Sequence, residues 1–282
     1  MDMDIDMNNN NNNQPIYIFS IKYGYYIAKT IQYLLKINKI ESEIVNFIDS
    51  TKDNLYIILF SHKVPKFPKN YIIYQLEQKD ICKRIDQKYK LSILFSHKTW
   101  DYTYANILRF EDILRKKISY FPIPLLEYSK LVSTPLNTEN QYDVLFYGTM
   151  NGERRNFLNH IKKNLPSIRL RSVDDLFEKD LFQEICKSKI VLNIHFYHNA
   201  NLATSRLNEI LSCKKLAISF YPSTDELYHY KLYKDQVIFV KNINDMIDKI
   251  QFYLHNQDEY DKIINNINFT KEDDHILSFL HP

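Results

Sequence analysis

Apolar runs alternate with segments whose apolar residues recur every three to four positions, and this alternation organises most of the chain. IYIFS (16–20) is a continuous apolar run, the pattern of a strand covered on both faces. Gly24 follows, and Ile27, Ile31, Leu34 and Leu35 then fall at helical spacing, which predicts an amphipathic helix over 24–37. Strands are expected at 43–48 (EIVNFI), 55–60 (LYIILF) and 71–74 (YIIY), with Pro65 and Pro68 marking a loop. Helices are expected at 78–96, where Ile81, Ile85 and Tyr89 share a face, and at 103–116. KTWDYTYAN (98–106) is taken as a loop, and ISYF (118–121) as a short strand stopped by Pro122 and Pro124.

Residues 125–140 carry little periodicity and are taken as a linker. A second series follows. DVLFYG (143–148) is a buried strand ending in glycine, and Phe157, Leu158, Ile161 and Leu165 mark the next helix. Strands are expected at 168–172, 190–196 (IVLNIHF), 216–220 and 236–240. Helices are expected at 177–187 and 203–213, then through Ile243, Met246, Ile247, Ile250 and Leu254, and last at 258–267.

Two series of this kind predict an α/β protein with two Rossmann-like, doubly wound domains facing a cleft, at 15–124 and 141–267. An Asn-rich tail (1–14) is expected to be disordered, and 268–282 forms a C-terminal tail. Ligands of such sheets bind beyond the carboxyl ends of the strands, so the search narrows to the loops there.

Composition removes several alternatives. The chain has 3 glycines in 282 residues, where average usage is about 7%. No GxGxxG or GxxxxGK[ST] loop can be built from Gly24, Gly148 and Gly152. With glycine so scarce, each one is expected to mark a backbone position that needs it. A net charge of +3 without a basic stripe argues against nucleic-acid binding. Cys82, Cys186 and Cys213 match no zinc or redox spacing, and the histidines lack ligand partners, so no metal is expected. An odd number of cysteines fits a reducing, cytoplasmic setting. No apolar run reaches the ~18 residues of a spanning helix, which leaves peripheral membrane contact possible. The acidic N-terminus does not resemble a signal peptide.

Three regions can carry chemistry. In YDVLFYGTMNGERRNFL, Gly148 ends a strand shortly before a helix N-terminus, which favours phosphate. Thr149 offers a hydroxyl, and Arg154 or Arg155 a charge-assisted bond. The competing reading is an ordinary βα turn with solvated arginines. In VLNIHFYHNANLATSRLNEIL, His195 ends a strand, with His198 in the loop, and Arg206 and Glu209 lie one turn apart on a helix. A carboxylate there suits a sugar diol and an arginine suits a diphosphate. The alternatives are a surface i,i+3 ion pair and a core histidine. In the first half, Glu77 and Asp101 follow predicted strands and could act as a general base on an acceptor hydroxyl, or simply cap helices. Trp100 beside them is more often a core residue.

The segments YDVLFYGTMNGERR, SKIVLNIHFY, SRLNEILSCKKLAISF and DQVIFVKNINDMIDKIQFYL together resemble the donor half of GT-B glycosyltransferases of the family 1/4-like kind found in bacteria and giant DNA viruses. YIIYQLEQ and TWDYTYAN are similar to the same group. The resemblance covers most of 16–256. It implies a nucleotide-sugar donor held by the second domain, no metal or other cofactor, and a glycan, lipid or protein acceptor near the first. By position Glu209 matches the glutamate that contacts the donor ribose, and Gly148 the glycine of the diphosphate loop. Arg154 or Arg206 would be the basic partner of the diphosphate, with Thr149 beside it. The glutamate that many retaining members carry two helical turns before the match to Glu209 is Asn201 here. The usual Ala-Cys-Gly end of that helix is Ser212-Cys213-Lys214. Glycosyl transfer is the activity implied. A catalytically inactive nucleotide- or glycan-binding protein of the same fold is the alternative.

Overall fold

The computed structural model describes residues 14–78, 86–132, 136, 139–196, 200–222, 227–271 and 280. The expected Asn-rich tail, the first half of the 78–96 helix, His198 and most of the C-terminal tail fall outside these residues. Residue contacts divide the chain into two compact units, Met1–Pro124 with Thr270–Pro282, and Leu125–Phe269.

The first unit holds β1 (Ile16–Phe19), α1 (Tyr25–Ile37), β2 (Ser42–Val45), β3 (Tyr56–Ile58), β4 (Tyr71–Gln75), α2 (Gln87–Phe95), β5 (Lys98–Asp101), α3 (Tyr104–Leu114) and β6 (Ser119–Tyr120). The strands form one parallel sheet in the order β2-β1-β3-β4-β5-β6. Apolar residues of β1, β3 and β4 pack with Tyr89 and Ile93 of α2 and with Ile107 and Phe110 of α3.

The second unit holds α4 (Tyr128–Leu131), β7 (Tyr142–Tyr147), α5 (Gly152–Asn164), β8 (Leu170–Val173), α6 (Glu178–Cys186), β9 (Ser188–Asn193), α7 (Thr204–Ser212), β10 (Leu216–Phe220), α8 (Leu227–Tyr233), β11 (Val237–Val240), α9 (Ile243–His255) and α10 (Gln257–Asn265). Its sheet is also wholly parallel, in the order β11-β10-β9-β7-β8. Alternation along β7 separates two faces. Val144 and Phe146 pack with α5, α9 and α10, whereas Tyr147 reaches α7 on the other face.

Both sheets are therefore doubly wound, each with its order reversing beside its first strand. Three expectations need correction. KTWD (98–101) is strand β5, because Trp100 is wholly buried between Tyr74 and Phe121 and the backbone pairs with both β4 and β6. A four-residue strand with a lysine and an aspartate shows too little apolar run to be read from sequence. The stretch taken as a linker contains α4, which is packed onto the second unit: Tyr128 stacks on Phe182 with centroids 3.9 Å apart, and Glu127 pairs with Lys214 at 3.1 Å. The strand expected at 190–196 is β9 and ends at Asn193, so His195 lies in the loop beyond it. No helix among the described residues is long and apolar enough to cross a membrane.

Trp100 is the only tryptophan and the largest fully buried side chain. Trp100→Ala should destabilise the first unit by about 3–5 kcal/mol, measured by denaturant unfolding.

Candidate functional site

In the second unit the topology singles out one place. The sheet order reverses at β7, whose neighbours β8 and β9 connect in opposite directions, and ligands of such sheets bind beyond the carboxyl ends of the strands at that point. Gly148 follows β7 and His195 follows β9.

Gly148 has φ of +114°, a region that side chains with a Cβ rarely adopt. A methyl group built on it would stand 2.6 Å from Nη2 of Arg206 and 3.8 Å from Nη1 of Arg154. The turn therefore requires glycine, and a methyl there would also push the Arg206 guanidinium aside. Gly24 is needed for a different reason, since a methyl there would lie 2.4 Å from the Phe60 ring. Gly152 corrects the expectation that every glycine is required: it begins α5 with open space around it, and Asn151 caps the helix by accepting from Arg154 N at 2.8 Å.

Two guanidinium groups reach the end of β7 from opposite faces of the sheet. Arg154 comes from α5 and lies over Phe146, and Arg206 comes from α7 and lies over Tyr147. Arg154 is 3% exposed and largely committed to the fold. Its Nε and Nη2 donate to Ile194 O at 3.1 and 2.6 Å, and Nη1 donates to Thr149 O at 2.7 Å. It thus ties the loop after β7 to the loop after β9. Burial, together with the charge of Arg206, lowers its pKa to about 9, which leaves it protonated at neutral pH. Arg155, the other arginine considered, is exposed. Arg206 is half-buried and makes one long hydrogen bond, to Asn193 Oδ1 at 3.4 Å. Neither arginine has a salt bridge among the described residues. Thr149 is exposed at the rim.

Glu209 lies one helical turn beyond Arg206. It accepts from Tyr147 Oη at 2.8 Å, which places it at the same strand end as Gly148. Burial raises its pKa to about 7, against the opposing effects of the Tyr147 hydrogen bond and of Arg206. Its carboxyl group is thus poised between protonation states near neutrality. His195 lies near enough to both cations to feel their charge. Burial, Arg206 and Arg154 push its pKa down to about 4, and its Nε2 is buried with no hydrogen-bond partner among the described residues.

Gly148, Arg154, His195, Arg206 and Glu209 thus form one cluster. Sequence reasoning missed Tyr147 and Asn193, which orient Glu209 and Arg206; their positions at the last residues of β7 and β9 are the signal that could have marked them. Glu77 and Asp101 belong to the first unit. Asp101 is fully buried, accepting from Gln75 Nε2 at 2.7 Å and from Thr103 N at 2.9 Å. Its carboxylate organises the turn into α3. Glu77 follows β4, with its backbone held by Gln75 and Asn106 and its carboxylate 3.7 Å from His62 Nδ1. Among the described residues no three His, Cys, Asp or Glu side chains are grouped to hold a metal ion.

The family profile described as glycosyl transferase-like matches residues 132–276, which include this whole cluster. The chain belongs to that family. A segment of 95 residues is 32% identical to uncharacterized protein L138 of Acanthamoeba polyphaga mimivirus, covering 33% of this chain and 10% of that protein. Among solved structures, the chain is similar to TarM (TM-score 0.52, 12% identity, 90% of this chain and 57% of that one). It is equally similar to HepE of Anabaena, solved with UDP and glucose (TM-score 0.52, 9% identity, 89% and 92%). A third similar structure is assigned as a UDP-N-acetylglucosamine 2-epimerase of Listeria monocytogenes (TM-score 0.52, 8% identity, 91% and 92%). The chain therefore spans about a tenth of the curated relative and just over half of TarM. At these identities the structural likeness establishes the fold, two Rossmann-like units of the GT-B type, as expected from the sequence.

The depressed pKa of His195 makes a signed prediction. Unfolded His195 takes up a proton below about pH 6.5 while the folded residue stays neutral until about pH 4, so stability falls as pH falls through that window. His195→Gln should lessen the loss between pH 6.5 and 5 by on the order of 1 kcal/mol, read from denaturant unfolding at the two pH values.

Proposed function

We propose that the chain is a glycosyltransferase that takes a sugar from a nucleotide-sugar donor without a metal at the reacting phosphate. The observation that carries this reading is the pair of guanidinium groups at Gly148, at a helix N-terminus, with no carboxylate bonded to either among the described residues. In this reading Gly148 and Thr149 bring backbone and hydroxyl to the diphosphate. Arg154 fixes the two loops and contributes field. Arg206 supplies the donors still available for phosphate oxygens. As the glycosidic bond to phosphate breaks, negative charge grows on the leaving diphosphate, and these preorganised cations stabilise it where it forms. Glu209 takes the ribose hydroxyls, with Tyr147 holding the carboxyl in place.

His195 is neutral at physiological pH and presents a buried ring nitrogen beside the cations, suited to hydrogen-bond the transferring group rather than to carry charge. Glu77 is the better placed of the two acids proposed as general base for the acceptor, because Asp101 is sealed in the interior. That sealing also favours the second reading, a binding protein of the same fold without turnover, should Glu77 prove dispensable. HepE, solved with UDP and glucose, supports a nucleotide-sugar donor here.

Calorimetric titration with a panel of nucleoside diphosphates should find at least one that binds. Glu209→Ala should weaken it by roughly tenfold or more, the cost of losing a hydrogen bond to a charged group. Unchanged binding would refute the ribose assignment. Binding without donor hydrolysis or transfer to any acceptor would favour the second reading.

A further inference from the structure

Helix α2 departs from the usual pattern of a surface helix. Tyr89, Ser92 and Ile93 are buried, yet Leu91, Leu94 and Phe95 are 38%, 40% and 74% exposed. These three residues stand at i, i+3 and i+4 and so form one contiguous apolar patch on the outer face. Phe95 is the most exposed large apolar side chain among the described residues. A cluster of this kind on a soluble surface marks a contact site.

Its surroundings are cationic. The helix itself contains no acidic residue and carries Lys88 and Lys90. Lys116 donates from Nζ to Ile93 O at 2.6 Å, to Leu94 O at 3.2 Å and to Ser96 O at 2.5 Å. This anchors the run Arg115-Lys116-Lys117 against the end of α2, with Arg115 and Lys117 exposed. Lys98, just beyond the helix, is close enough to Lys117 to feel its charge. Of the nearby acids among the described residues, Asp86 caps α2 through Tyr89 N and Glu111 accepts from Ile118 N.

We propose that this face docks on an anionic lipid bilayer, with Leu91, Leu94 and Phe95 entering the headgroup layer and Lys90, Arg115 and Lys117 facing lipid phosphates. Apolar insertion and electrostatic attraction to anionic headgroups act together in such contacts. A second copy of the chain is a poorer occupant, since two such faces would bring like-charged rims together. The inference does not depend on the donor reading, because α2 contributes nothing to the cluster at Gly148.

The test is co-sedimentation of the full chain with phosphatidylcholine vesicles, with and without about 30% phosphatidylglycerol, at about 0.05 M and 0.5 M salt. Binding should require the anionic lipid and fall roughly tenfold at the higher salt, where the Debye length shrinks. The triple variant Leu91→Gln/Leu94→Gln/Phe95→Gln should lose roughly tenfold in binding while keeping its thermal melt and its nucleoside diphosphate affinity. Lys90→Glu/Lys117→Glu should abolish the preference for anionic lipid. Absence of wild-type binding, equal binding to neutral vesicles, or a triple variant that binds as well as wild type would overturn the proposal. So would a solution dimer dissolved by the triple variant, which would assign the face to a second copy.

Discussion

Two guanidinium groups stand at one strand end, reached from opposite faces of the same parallel sheet, with no carboxylate bonded to either among the described residues. Like charges at such distances repel, and desolvation adds to the cost. The surroundings offset part of it. Arg154 is held by two carbonyl oxygens and two aromatic faces, Phe146 and Phe196, and Arg206 by Asn193 and the Tyr147 ring. The remaining deficit is negative charge, which the diphosphate of the proposed donor would supply. Burial and the two cations together keep His195 neutral, whereas at Glu209 burial raises the pKa against the pull of Arg206.

Sequence periodicity made most of the fold legible. Long apolar strands such as IVLN and helices with four or more periodic apolar residues, such as Ile243–His255, were readable because a parallel sheet covers both strand faces and leaves helices a single buried stripe. The elements that escaped are short or polar. Strand β5 is defined by pairing on both sides rather than by its own composition, and α4 by the stacking of one tyrosine on Phe182. Neither cause is local in sequence.

The site was partly legible for a similar reason. Gly148 could be singled out because glycine is so scarce, and Arg206 and Glu209 because they share one helix face. The difference between Arg154 and Arg206 was not legible. Which arginine is locked by carbonyl oxygens and which keeps its donors depends on Ile194, whose backbone oxygen lies 40 residues from Arg154. Lys214 shows the reverse. It holds φ of +53° where the family resemblance has glycine, and its pairing with Glu127 gives that strained position a partner. Gly152, conspicuous in the sequence, has no steric requirement at all.

Whether the cations at Gly148 hold a diphosphate is decided by how much the diphosphate group adds to affinity. Calorimetry compares a nucleoside diphosphate with its parent nucleoside, on the wild type and on Arg206→Ala. The diphosphate should bind the wild type at least roughly tenfold more tightly than the nucleoside, and most of this gap should vanish in the variant. An equal gap in both proteins would contradict this.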